Sequence, residues 1–439
     1  MLECQWLKKK AMNLPEEVIK VLSILEEASY QSVVVGGAVR DDLLKRPVHD
    51  YDIATSASYE QIIRLFGEGK TFTKGIKHDT VIVHMGKRDI EVTSYRGSDP
   101  LSLKADLALR DFTIDAMALT PDGIYDPFNG KEDLNKKIIR SVGNALDDFA
   151  SDSLRILRGL RLSGELGFAI EGKTHDAMKI MAPELKRTAS ERIGEELKKI
   201  IVLKNADEII RHNKEVFFTI LPELKAMDGF NQHSAYHEFD VLEHCLHALF
   251  HVTPRTPLMC LSALFHDLGK PQCFFRDEKG EGHFYGHDKL GAKRARKICQ
   301  RLHYSTDFTE DLCFLVEHHM FQIEKPKTLR RYLGKYGKER MDELFSLREA
   351  DIRGTVRREI GPIPYVTALR QSMNAIDLKK EGILKNALKI NGDDLKSLGF
   401  TQGKELGDVL KDLRAKVVDG DLANDHEVLI EEAKKYLKK

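Results

Sequence analysis

Several features are missing from this sequence, and each absence excludes something. No apolar run approaches the roughly 18 residues that a membrane-spanning helix needs, so an integral membrane protein built on helices is not expected. The start, Met1 to Lys10, is short and charged without an apolar core and does not read as a secretory signal. Six cysteines (Cys4, Cys245, Cys260, Cys273, Cys299 and Cys313) lie far apart with no CxxC pair. That spacing argues against a disulfide framework or a zinc ribbon and predicts reduced thiols in a cytoplasmic protein. There is no internal repeat and no low-complexity tract. Net charge is missing too: 69 Lys and Arg cancel 69 Asp and Glu, which excludes only indiscriminate electrostatic binding to polyanions. What is present is a chain of 439 residues, 42% hydrophobic, with a mean hydropathy of −0.36. Such a chain is globular, with buried cores and room for about three domains.

Residues 14–30 carry apolar side chains at helical spacing and end where a β run, Ser32–Val35, begins. Further strand-like runs follow at Tyr51–Ala54, Val81–Met85, Ile90–Ser94 and Ala116–Leu119, some of them separated by helical stretches. Residues 1–125 therefore read as an α/β head, and 126–228 as a helical neck and body. Residues 229–358 form a histidine-rich helical region, and 359–439, beyond Pro362 and Pro364, a charged helical tail. The expected architecture is multidomain, α/β followed by all-α.

The first chemical constellation is Val33-Val34-Val35-Gly36-Gly37-Ala38-Val39-Arg40-Asp41, a strand, a glycine pair and a helix start. Glycine lets phosphate oxygens approach the backbone, and a helix N-terminus offers unpaired N–H groups to an anion. Asp50 and Asp52 follow at i, i+2 on a strand, a spacing that puts both carboxylates on one face. Two carboxylates so close repel unless a cation lies between them, and Mg²⁺ is the natural occupant beside a nucleotide phosphate. Glu91, on a later strand, can supply a third carboxylate. Farther on, Arg155, Arg158 and Arg161 recur every three residues as a basic stripe on a helix, with Asp152 one turn before the first. An acceptor beside a planar donor can read the edge of cytosine or adenine with protein groups alone.

Gly-Gly-Ala-Val-Arg-Asp followed by Asp-x-Asp resembles the class II tRNA nucleotidyltransferases and bacterial poly(A) polymerases, a branch of the polymerase β superfamily. Four further segments resemble that family in order: residues 107–118 (LALRDFTIDAMA), Asp126 to Gly130 with Asp133-Leu134, residues 152–161 (DSLRILRGLR) and residues 191–197 (ERIGEEL). The resemblance implies a polymerase β-like head with a mixed sheet, and transfer of nucleotides from CTP and ATP to a tRNA 3′ end. It implies metal at Asp50, Asp52 and Glu91, and a triphosphate cradle at Gly36, Gly37 and Arg40. Arg110 and Asp111 correspond to phosphate and ribose contacts, and Asp152, Arg155, Arg158 and Arg161 to a protein template. The sequence departs from the family at Ser151, Leu109, Asp115 and Asp79. The stretch between Tyr95 and Leu107 is also short, as in enzymes that add only CC. Poly(A) synthesis is a further alternative, and an RNA-binding pseudoenzyme is disfavoured by the intact Asp-x-Asp.

The second constellation is histidine. His244, then His266-Asp267 in Leu264 to Lys270 (LFHDLGK), then Asp351, resembles an HD phosphohydrolase domain, with His287 and His318 placed as further ligands of a binuclear site. Imidazole with carboxylate suits a divalent metal, whose identity the residues leave open, and a metal-activated water attacking a phosphoester. Residues 289–340 carry 13 Lys and Arg against 6 Asp and Glu. Within them Arg330, Arg331, Lys335 and Lys338 interleave with Tyr332 and Tyr336 as candidate tRNA phosphate contacts.

Overall fold

The computed structural model describes residues 6, 14–73, 80–97, 99, 101–233, 238–358, 360–384 and 387–437. Asp79 and Cys4 lie outside the described residues. Contacts divide the chain into two compact units, Met1–Ile200 and Ile201–Lys439.

The first unit starts with α1 (Glu16–Glu27), which buries Val18, Val21, Leu22 and Leu25 at i, i+3, i+4 and i+7. Seven strands then form one mixed sheet: β1 (Ser32–Val35), β2 (Asp52–Thr55), β3 (Thr71–Thr73), β4 (Thr80–Met85), β5 (Arg88–Ser94), β6 (Ala118–Thr120) and β7 (Gly123–Tyr125). Their order is β3-β4-β5-β2-β1-β6-β7. The β2–β5 pairing is parallel, and its register sets Asp52 opposite Glu91. On its other side Asp52 faces Val35, the last residue of β1. Because β1 leaves the sheet at Gly36, the ladder ends there and β2 starts at Asp52. Asp50 has no ladder partner and lies exposed on the approach loop, so Asp50 and Asp52 do not share a strand as the i, i+2 spacing had suggested.

Helices flank and follow this sheet: α2 (Gly37–Leu43), α3 (Tyr59–Phe66), α4 (Leu103–Ala108), α5 (Gly130–Lys136), α6 (Ala145–Ser151), α7 (Leu154–Leu166), α8 (Gly172–Met181) and α9 (Ser190–Ile201), with β8 (Ile138–Ile139) paired in parallel to β9 (Ala169–Ile170). Helix α7 buries Ile156, Leu157, Gly159 and Leu160, and its arginines lie on the less buried side. It begins two residues after Asp152, which is extended; the Asp152 Oδ1 accepts the Leu154 N–H at 3.1 Å. At Gly159 α7 packs closely against its neighbours. A Cβ there would sit 2.4 Å from Met178 Cε and 2.7 Å from Phe112 Cζ.

Among its described residues the second unit is helical apart from one short hairpin. In order it contains α10 (Ala206–His212), α11 (Lys214–Ile220), α12 (Val241–His251), α13 (Pro257–Phe265), α14 (Lys270–Cys273), β10 (Phe275–Arg276) and β11 (Gly282–His283). Then come α15 (His287–Arg301), α16 (Thr306–His318), α17 (Pro326–Arg353), α18 (Pro364–Ala375), α19 (Gly392–Ser397), α20 (Lys404–Asp419) and α21 (His426–Leu437). Helix α13 starts with Thr256 accepting the Met259 N–H and Pro257 in the first turn, and everything from Met259 to Phe265 is buried. Helix α17 is broken at Gly337, whose φ of 79° and ψ of 170° are not helical. The last helices enclose a core of their own around Leu395, Phe400, Leu413, Val417 and Leu429. Among the described residues no helix is long and apolar enough to cross a membrane, and Cys245, Cys260, Cys273, Cys299 and Cys313 are free thiols.

Replacing Gly159 by valine is expected to cost about 1–3 kcal/mol through overpacking against Met178 and Phe112. At about 2–4 °C per kcal/mol, that lowers the thermal unfolding midpoint by several degrees, read by scanning calorimetry.

Candidate functional site

A cavity of about 580 Å³ opens beside the end of β1 and β2 and is lined by residues from the sheet, α2, α7 and α9. It gathers Gly36, Gly37, Arg40, Asp52, Glu91, Arg110, Asp111, Asp152, Arg155, Arg158 and Arg161. Of the head residues singled out from the sequence, Asp50 alone is outside this lining. Gly36 has φ +73°, and a Cβ on it would lie 2.9 Å from Arg110 Nη1 and 3.5 Å from Asp52 Oδ2. A side chain here would therefore fill the space between an arginine and a carboxylate. Glycine keeps that space open to a ligand.

The charges are paired in a definite pattern. Asp111 forms ion pairs with Arg155 Nε at 3.1 Å and with Arg158 Nε at 2.6 Å, one on each oxygen. Arg155 also donates to the Leu109 carbonyl at 2.6 Å. Arg161 is held by Glu165 at 2.9 Å and by Glu196, and Arg192 reaches Asp152 at 3.1 Å. Arg40 donates to Asp115 at 2.7 Å and to Asp41 at 2.9 Å. Burial pushes the Asp115 carboxyl above its ordinary range, against the pull of Arg40. It pushes Asp52 up as well, where Arg110 opposes and Glu91 and Asp50 add to the shift.

Four contributors had escaped the sequence reading. In the sequence Asp115 stands only as a departure from the family pattern within residues 107–118. Arg192 lay in the quoted 191–197 motif. Arg96 and Asp106 carried no motif. Asp106 is fully buried and accepts from Arg96 Nε at 2.9 Å and from Arg110 at 3.4 Å, so it closes the short 96–106 connection against the cavity wall.

The second unit brings His244 (α12), His266 and Asp267 (end of α13), His287 (start of α15), His319 (end of α16) and Asp351 (α17) together, all buried. His244 Nδ1 donates to the Gly354 carbonyl at 3.1 Å and His266 Nδ1 to the Ala263 carbonyl at 2.8 Å. A carbonyl can only accept, so in the neutral rings the Nε2 atoms carry the lone pairs. Those two Nε2 atoms face each other at 3.0 Å, with Asp267 Oδ2 3.4 and 3.2 Å away and Asp351 Oδ1 3.1 and 3.6 Å away. The pattern repeats on the other oxygen of Asp267. His287 and His319 donate from Nδ1 to the carbonyls of Phe284 and Val316, both at 2.7 Å, and their Nε2 atoms lie 3.3 and 3.7 Å from Asp267 Oδ1. Burial pushes His319 down to about 3, so this ring stays neutral.

His318, expected among the ligands, points elsewhere. Its Nδ1 donates to Phe314 O at 2.9 Å in its own helix, its Nε2 meets the Tyr336 hydroxyl at 3.0 Å, and its ring stacks on Phe314. His319, one residue on and about 100° farther round the helix, takes the inward position. Gly269 makes the close packing possible: a Cβ there would lie 2.1 Å from the His287 carbonyl oxygen.

The basic residues of α17 are less open than their spacing suggested. Arg330 is spent inside the unit, donating to Val418 O at 2.7 Å and paired with Glu381. Arg331 makes two bonds of 2.6 Å to Asp419 yet remains exposed. Lys335 lies over the Tyr336 ring at 4.6 Å and lines a groove with Arg331, Lys411 and Arg414. Lys338, just after the break at Gly337, is half-buried.

Residues 32–140 match the poly A polymerase head domain, 167–227 the probable RNA and SrmB-binding site of polymerase A, and 287–433 a putative second domain of tRNA nucleotidyltransferase. The CCA-adding enzyme of Streptococcus thermophilus is 30% identical over 96% of this chain and 98% of its own length. That of Leuconostoc mesenteroides is 29% identical over 98% and 99%. The CCA-adding enzyme of Bacillus stearothermophilus, solved in complex with CTP, superposes with a TM-score of 0.70 at 26% identity, covering 96% of this chain and 97% of that one. The Thermotoga maritima enzyme, solved with tRNA, shares the fold at a TM-score of 0.60 and 23% identity. From its matching head and its near full-length likeness to these relatives, the chain belongs to the CCA-adding enzyme family of nucleotidyltransferases.

Proposed function

We propose that this protein adds C and A nucleotides to the 3′ end of tRNA, taking them from CTP and ATP without a nucleic-acid template. The observation that carries this reading is the single cavity in which Asp52 and Glu91, register partners on adjacent parallel strands, share a wall with a glycine pair and an arginine-lined helix. The RNA 3′-hydroxyl oxygen forms a bond to the α-phosphorus as the bond to the departing pyrophosphate breaks.

The donor set fits a hard divalent ion. Asp52 is driven toward its neutral form by burial and by the Glu91 charge, a strain that an oxygen-seeking dication removes. Asp52 and Glu91 would hold Mg²⁺, with the exposed Asp50 able to reach in from its loop. When bound, Mg²⁺ would lower the hydroxyl pKa and offset charge on the phosphates. Gly36 and Gly37 admit phosphate oxygens to the start of α2, and Arg40 and Arg110 supply positive charge around them. Asp111 draws Arg155 and Arg158 together and the Leu109 carbonyl orients Arg155, so donors facing an incoming base are positioned before it arrives. Asp152, held by Arg192, presents a carboxylate acceptor beside them. Such a fixed donor and acceptor set selects bases by hydrogen bonding, as a nucleic-acid template would. This reading places the protein with its tRNA in the cytoplasm.

A second activity is favoured by the lone-pair arrangement around Asp267. Four imidazole Nε2 atoms and two carboxylates face inward, a donor set that suits divalent transition metal. His244, His266, Asp267 and Asp351 would hold one ion, and His287 and His319 with the other Asp267 oxygen a neighbouring one. When bound, such ions would supply an activated water for phosphoester hydrolysis.

Incubation of tRNA lacking its CCA end with CTP, with ATP and with both, resolved to one nucleotide, is expected to give CCA only with both. Products that stop at CC would overturn terminal A addition and assign the Arg96–Asp106 closure to a CC-adding enzyme. Asp52→Ala is expected to lower transfer by roughly 10²–10³-fold or more. Its thermal midpoint should not fall, since the substitution removes a carboxylate that burial disfavours.

Asp115→Asn removes the buried charge that neutralises Arg40, and the apparent KM for CTP is expected to drop by up to about tenfold. An unchanged KM would show that the pair does not face the nucleotide. In the second unit, His266→Ala and His319→Ala are each expected to lower the Mn²⁺ taken up per chain, measured by calorimetry, while His318→Ala leaves it unchanged.

A further inference from the structure

The hairpin β10–β11 lies beside the histidine cluster and carries aromatic rings for which the fold gives no packing reason. Phe275 and His283 are register partners across the hairpin, and Tyr285 follows His283 at i+2, so all three project to one face. Their ring centroids lie within 5.2–5.7 Å of one another, and the His283 and Tyr285 planes are 9° from parallel. Aromatic residues cluster this way to bury one another, yet here Tyr285 is 76% and Phe275 46% exposed. The platform is also held still. His283 Nε2 bonds Asp277 Oδ2 at 2.9 Å, and Asp277 accepts the backbone N–H groups of Lys279 and Glu281, each at 2.9 Å.

His283 and Tyr285 line a cavity of about 490 Å³ together with Asp267, His287, His319 and Asp351. Two cations share it. Lys270 reaches Asp267 at 2.6 Å and lies over the Phe284 ring at 5.3 Å, and Arg348 donates to Asp351 at 2.7 Å. The cavity therefore combines cations that suit a phosphate with an open, preorganised π-face. A free phosphate or a sugar phosphate has no use for such a face. A nucleobase does, because base–aromatic stacking tolerates any base and needs only a flat ring.

We propose that Phe275, His283 and Tyr285 form a base-stacking subsite, and that the histidine-lined cavity takes a nucleoside phosphate, either a free mononucleotide or the terminal residue of an RNA. This assignment rests on the phosphoester-hydrolase reading of the cluster for its phosphate end alone. The stacking end stands on the hairpin.

The test is photolabelling of the full chain with 8-azido-AMP, with the labelled peptide mapped by mass spectrometry. Label is expected within residues 274–286, displaced by AMP at concentrations about 5- to 150-fold lower than by ribose 5-phosphate. Phe275→Ala combined with Tyr285→Ala is expected to erase that preference, leaving thermal unfolding and CTP-dependent transfer at parental values. Label confined to other peptides, or equal displacement by AMP and ribose 5-phosphate, overturns the subsite. Competition by AMP and by 3′-phosphorylated hexaadenylate separates the two sources. Stronger displacement by either keeps the subsite and names its ligand, and displacement by neither removes it. The metal reading fails separately: a chain that takes up no Mn²⁺ but labels at the hairpin loses the hydrolase and keeps the platform. One that takes up Mn²⁺ without labelling there loses the platform alone.

Discussion

The parallel pairing of β2 with β5 is the constraint on which the catalytic half of this molecule depends. It sets Asp52 against Glu91 in register and, through the antiparallel partner β1, ends the ladder at the residue before Gly36. One hydrogen-bonding pattern thereby puts two carboxylates and the open glycine turn within one cavity wall. A one-residue slip of β5 would turn Glu91 to the opposite face and bury its charge among the apolar partners of Ile90 and Val92. The apolar–polar alternation of β5 guards against that slip, with Ile90 and Val92 buried and Glu91 half-buried between them.

The two sites solve opposite electrostatic problems. In the head cavity, arginines that would repel one another are separated by carboxylates: Asp111 between Arg155 and Arg158, Asp115 on Arg40, Asp106 on Arg96 and Arg110. Each cation is oriented and partly neutralised before any nucleotide arrives, which reduces the reorganisation that binding requires. In the second unit the lone pairs converge instead, and Lys270 and Arg348 supply positive charge at the margin. The zero net charge of the chain is thus the sum of local pairings, several of them buried.

Much of the head was legible in the sequence because its chemistry is carried by short segments in chain order, in which a strand, a glycine pair and an acidic residue follow within about 20 residues. What stayed hidden depended on partners remote in the chain. Asp106 is meaningful only once Arg96 and Arg110 are folded around it. Asp50 and Asp52 looked like one strand face because i, i+2 spacing cannot show where a ladder ends. Choosing between His318 and His319 needed the phase of α16, which the stacking of His318 on Phe314 decides. Arg330 read as a surface cation because its consumers, Glu381 and the Val418 carbonyl, lie at least 51 residues away in the chain. The hairpin Phe275–His283 was read through as helix, since two-residue strands leave too short an alternation to detect.

Helix α17 joins two regions with different tasks. Its first half is fastened to α20 through Arg330 and Arg331, while Asp351, near its other end, faces the histidine cluster. A continuous helix of 28 residues would act as a stiff rod between them and pass any twist at the tail directly to a buried carboxylate. The non-helical backbone at Gly337 interrupts the rod and absorbs torsion at one residue. The half of α17 that meets the tail and the half that carries Asp351 are thus two separate helical segments and not one rod.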